Sequence, residues 1–187
     1  MRTRWYGFWV GLGLVLALTT AASGQRHHDP FTPSEIDQIR DASWEPQQRL
    51  TLYLKFARAR LVALEQMRVD PKTKNRPQQT HDALDDFLLI YDELNDNIDT
   101  YVDRKNDIRK PLKLVIDADT EFQAKLRALK DAADVPAAEA QKYEFVLTNI
   151  LETLDTSAED HRKLLAEQEE ASKHGKKYAK ATGGKSE

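Results

Sequence analysis

Residues 82–107 read DALDDFLLIYDELNDNIDTYVDRKND. Leu84, Phe87, Tyr91, Leu94, Ile98 and Tyr101 recur at alternating steps of three and four, with Leu88 and Val102 beside them. That is the seven-residue repeat of an amphipathic helix packed on other helices. The same stretch holds nine carboxylates and two cations. With Leu84 at position a, Asp85, Asp92 and Asp99 fall at b, and Asp86, Glu93 and Asp107 at c. Asp82, Asp96 and Asp103 fall at f, so every carboxylate lies off the apolar seam and faces water. Pairs such as Asp92/Asp96 and Asp99/Asp103 still cost roughly 0.2–0.5 kcal/mol each as like charges four residues apart. The preceding helix carries Arg49, Lys55, Arg58, Arg60 and Arg68 against Glu45 and Glu65. The expectation is a solvated acidic face partly neutralised by that basic neighbour. Its candidate interaction residues are Asp85, Asp92, Glu93, Asp96, Asp99 and Asp103.

The neighbouring segments follow the same rule. Thr32-Pro33-Ser34-Glu35 has the residues of a capping box, with Phe31 and Ile36 placed to staple it. The pattern predicts a short helix ending near Ala42, with Ser43 capping the next. Leu50, Leu54, Ala57, Leu61 and Leu64 then mark one face of a helix from about Glu45 to Arg68. DPKTKNRPQQ (70–79) reads as a polar loop, with Thr80 as the cap of the acidic helix. Pro111 marks another helix start, with Leu112, Val115, Phe122, Leu126 and Leu129 following. Residues 131–136 read as a turn. Ala140, Tyr143, Leu147, Ile150, Leu154, Ser157, His161 and Leu164 share the seam of the longest helix. No segment alternates with the period of a strand. The expected fold is all-α: an antiparallel up-down-up-down four-helix bundle over 32–172, with the short extra helix across one end. The 173–187 segment, with Lys173, Lys176, Lys177, Lys180 and Lys185, reads as a disordered, solubilising basic tail.

The first 24 residues have a charged start (Arg2, Arg4), an apolar run from Trp5 to Leu18 and the small residues Ala22-Ser23-Gly24. This is the pattern of a secretory signal peptide. The alternative is an uncleaved membrane anchor over 5–22, at the short end of the roughly 17–25 residues that span a bilayer. A short flexible leader (25–31) follows. Either way the expected location is extracytoplasmic, periplasmic or secreted. Cleavage would leave 163 residues with 26 basic and 31 acidic side chains, a formal charge of −5. An acidic chain of that kind argues against nucleic-acid binding. With no cysteine there are no disulfides, thiol nucleophiles or cysteine metal sites.

Catalytic signatures are equally sparse. There is no Gly-x-Ser-x-Gly, no His-Glu-x-x-His and no phosphate loop. Glu-x-x-His, which di-iron bundles need, is also missing. Asp117-Ala118-Asp119-Thr120-Glu121 begins like a calcium loop, but Phe122 stands where the glycine belongs and Ala128 where the glutamate belongs. His27 and His28 sit in the leader, which offers no organised metal site. His161 alone takes a core-seam position. Pairing about the 131–136 turn predicts it near residue 106, at the end covered by the first helix, as a half-buried and pH-sensitive histidine. The expected function is a non-enzymatic cell-envelope interaction or structural module, with no cofactor, acting on a protein partner or on itself. A bundle that binds a small ligand or divalent cation, at the acidic helix or the His161 layer, is the alternative.

Overall fold

The computed structural model describes residues 29–182 except residue 134, with side chains through residue 174. The expected signal or anchor segment 1–24, residues 25–28 of the expected leader with His27 and His28, and residues 183–187 lie outside the described residues. Those described form six helices and no strand: α1 (Pro33–Asp41), α2 (Pro46–Val69), α3 (Arg76–Asp103), α4 (Arg109–Lys130), α5 (Ala137–Ala140) and α6 (Glu144–Thr182). None of these helices is long and apolar enough to cross a membrane. α6 continues to Thr182, past the expected end of the folded part at residue 172.

The predicted capping box is present. Thr32 Oγ1 accepts from the Glu35 amide at 3.3 Å, and Glu35 Oε2 accepts from the Thr32 amide at 2.8 Å. Two other predicted caps move. Ser43 does not cap α2, because its hydroxyl donates to the Arg40 carbonyl; Glu45 is the N-cap, with Pro46 in the first turn. Thr80 lies inside α3, fully buried, and Asn75 is the N-cap with Pro77 in the first turn. The second loop proline therefore starts the helix, as its fixed φ allows.

α2 runs antiparallel to α3, joined by contacts from Tyr53 with Asn97 to Arg68 with Thr80. α4 runs antiparallel to α6, as the pairs Arg127–Asp155, Asp119–His161 and Lys113–Glu169 require. The two hairpins pack side by side: α2 lies along α4 in parallel and α3 along α6 in parallel. Direction alternates along α2, α3, α4 and α6 as expected, but the neighbours differ from an arrangement in which every adjacent pair is antiparallel, because α2 lies beside α4 and α3 beside α6. α3 and α4 meet across the core through rings, with Phe87 and Phe122 edge-to-face at 5.2 Å. The core between the helices includes Leu50, Leu84, Phe87, Tyr91, Leu94, Leu112, Phe122 and Ile150, all fully buried.

α1 lies along α2 instead of across an end. Phe31 packs edge-on against Tyr53 and Phe56 at 5.9 and 6.2 Å. Arg60 makes a forked pair with Glu35 at 2.7 and 3.0 Å and also donates to the Pro30 carbonyl. Burial raises the Glu35 carboxyl, but the Arg60 hydrogen bond, the Thr32 amide and the Arg60 charge outweigh it, and the carboxyl sits below its ordinary value. A carboxyl lowered in the folded state contributes stability above its ordinary pKa and loses it as pH falls through the folded value. Arg60→Ala is therefore expected to cost about 1.5–3 kcal/mol at pH 7 and to expose residues 29–45 to proteolysis. The gap from wild type in urea melts should close as pH falls below about 4.5.

Candidate functional site

The core contains one ionisable side chain on each of two facing helices. Asp119 of α4 is fully buried and His161 of α6 is 4 % exposed. His161 Nδ1 lies 2.8 Å from Asp119 Oδ2, and the Tyr91 hydroxyl of α3 donates to Asp119 Oδ1 at 2.7 Å. Asn95 Nδ2 donates to Ser157 Oγ at 3.1 Å in the adjoining layer. Burial, then the Asp119 charge, pushes the Tyr91 phenol well above its ordinary value, opposed by a hydrogen bond involving Ser157. The phenol therefore stays a donor, and the carboxylate is satisfied from two sides. An uncompensated carboxylate in the interior costs several kcal/mol, which two charge-assisted hydrogen bonds offset.

An Asp–His pair orients the base in nucleophilic hydrolases. Here the second half is missing among the described residues: Ser157 lies one turn before His161, but its hydroxyl bonds to Asn95 and no hydrogen bond joins it to the imidazole. The cluster links α3, α4 and α6 in one register. A polar cleft of about 340 Å³ opens beside it between α3 and α6, bordered by Asn95, Asp99, Ser157, Asp160 and His161. Asn95 Oδ1 is buried without a hydrogen-bond partner.

His161 was expected near residue 106 and beneath α1. It lies instead opposite Asp119, while Asn106 pairs with Gln168. The reason is local: α5 and the turn at 141–143 lengthen the α4–α6 connection, which moves the fold-back from about residue 133 to about 141. Asp119, which the sequence offers only within a calcium-loop-like stretch, is instead the buried partner of His161. The signal was present, since Leu112, Val115, Asp119, Phe122 and Leu126 continue the three–four spacing without a gap. A carboxylate on that seam marks a buried, partnered charge.

The α3 carboxylates sit where the heptad places them. Asp92, Glu93, Asp96, Asp99 and Asp103 are exposed and Asp85 is half-buried. No hydrogen bond or ion pair is made by any of these six carboxylates among the described residues, whereas Asp82 bonds Gln78 and Asp107 bonds Arg109. The expected neutralisation by α2 does not occur. Arg58 forks onto Glu121 of α4 at 2.7–3.1 Å, Arg60 onto Glu35 of α1, Lys55 onto Gln38, and Arg68 onto Glu139. Those cations leave α2 on the sides facing α1, α4 and α5, while the carboxylates leave α3 outward. Partial desolvation, then the charges of Asp96 and Glu93, raise the Asp92 carboxyl above its ordinary value. Among the described residues no three His, Asp or Glu side chains converge as a metal site.

Comparison with protein-family models, with characterised proteins and with solved structures returns no match to this chain.

Proposed function

We propose that this chain is an exported, non-enzymatic four-helix module that docks a cationic protein surface on the outer face of α3. Asp85, Asp92, Glu93, Asp96, Asp99 and Asp103 form the docking face. One observation carries the reading: these six carboxylates make no hydrogen bond or ion pair among the described residues, while Arg58, Arg60 and Arg68 of the adjacent α2 pair with Glu121, Glu35 and Glu139. A helix face of one sign, bearing charges that repel each other, holds a field that a basic partner relieves. The Tyr91–Asp119–His161 cluster serves this role by keeping α3 in register with α4 and α6.

Asp92→Asn/Asp96→Asn/Asp99→Asn is expected to abolish binding of an arginine-rich helical peptide that wild type binds at low salt. Wild-type affinity should fall steeply with ionic strength, as exposed charge pairs require. The same variant should be slightly more stable at pH 7, by roughly 0.2–0.5 kcal/mol per relieved pair. A carboxyl raised in the folded state costs stability when ionised, and that cost disappears as pH falls through the raised value. The gain should therefore vanish in acid. Isothermal titration and urea melts at pH 7 and pH 4 read both effects; equal peptide affinity in the variant would refute the proposal.

A further inference from the structure

We propose that a pocket between the C-terminal halves of α2 and α4 binds an amphipathic monoanion, specifically a carboxylate on an unbranched alkyl tail. The cavity measures about 550 Å³, within the range of small-ligand sites. Leu61 and Leu64 of α2, Leu129 of α4 and Val135 of the following turn give it an apolar wall.

The charges around this wall do not balance. Lys125 is paired with Glu65 at 2.6 Å. Arg68, only 16 % exposed, reaches Glu139 at 3.5 Å and the hydroxyls of Thr80 and Tyr143 at 3.4 Å, all at the long end for such bonds. Arg76, the first residue of α3, also lines the pocket. It makes no hydrogen bond or ion pair among the described residues, and its Nε is buried without a partner. Three cations face two carboxylates, so a single anion completes the set. Arg76 brings to the pocket a guanidinium with no partner of its own, and a guanidinium takes a carboxylate through parallel N–H donors. The apolar wall beside that guanidinium takes the tail. A neutral alkyl chain would leave Arg76 unmatched, and a short carboxylate would leave the wall wet.

This site is separate from the α3 docking face, and its test bears on neither the partner nor the acidic residues. Titration calorimetry of the full chain with dodecanoate, below its micelle concentration, is expected to show one site. Arg76→Gln should weaken binding about tenfold or more, the loss of a charged hydrogen bond. Ala128→Trp, an exposed position on the pocket rim, should block the tail and abolish binding without touching a charge. Dodecanol should bind wild type at least tenfold more weakly than dodecanoate. Absence of dodecanoate binding, equal binding by Arg76→Gln, unimpaired binding by Ala128→Trp, or equal binding of dodecanol would each overturn the proposal. The dodecanol comparison uses wild type alone, so it decides even if a variant fails to fold.

Discussion

Replacing His161 by alanine is expected to lower the unfolding free energy by about 3–5 kcal/mol, because it leaves Asp119 in the core with one donor in place of two. Asp119 is fully buried, and its remaining partner would be the Tyr91 hydroxyl at 2.7 Å. For a chain of this length each kcal/mol moves the melting temperature by about 2–4 °C, so a fall of roughly 10 °C is expected. The pair acts as a unit, which sets a second requirement. Asp119→Leu/His161→Leu removes both polar partners and restores apolar volume, so it should lose much less than Asp119→Leu and His161→Leu added together. Urea melts of the four proteins give the coupling. If the single losses simply add, the 2.8 Å contact is not an energetic pair.

Phe122→Ala is expected to cost a similar 3–5 kcal/mol by a different route, the cavity left by a fully buried ring. Phe122 stands where α3 and α4 meet across the core, edge-on to Phe87 at 5.2 Å and to Tyr91 at 6.5 Å. The Arg58 guanidinium lies over the same ring, 5.7 Å from its centroid, while it holds Glu121. Removing the ring therefore loosens Tyr91, which is one of the two donors to Asp119. Phe122→Leu, which retains most of the volume, should recover more than half of the loss; denaturant midpoints at constant slope check it.

The helices themselves are largely legible in the sequence, because spacing is local, although of the three predicted caps only Thr32 of α1 holds its place. Thr32, Pro33 and Glu35 fix the start of α1 by bonds within four residues, and the heptad of α3 orients its seam without reference to any neighbour. Pairing between helices was less legible. A four-residue helix and a turn before α6 shift its register against α4 by several residues, and that moved His161 from an expected helix-bundle end to the side of Asp119. The destination of the α2 arginines was not readable either. Composition shows a basic helix beside an acidic one, but the angle at which each side chain leaves its helix decides the partner. Arg58 and Arg60 leave towards α4 and α1, and Asp85, Asp92, Glu93, Asp96, Asp99 and Asp103 of α3 make no hydrogen bond or ion pair among the described residues. Asp119 is readable from its seam position between Val115 and Phe122, although its segment also begins like a calcium loop.

Site-specific photocrosslinking in cells producing the chain tests docking on the acidic face most directly. A crosslinking residue at position 96 lies within the face; one at position 117, exposed on α4, lies on the far side of the core. The expected result is a defined adduct to a cationic protein from position 96 only, lost when Asp92 and Asp99 are changed to asparagine. Adducts of equal yield from both positions, or an adduct at 96 that survives the loss of those two charges, would contradict the account.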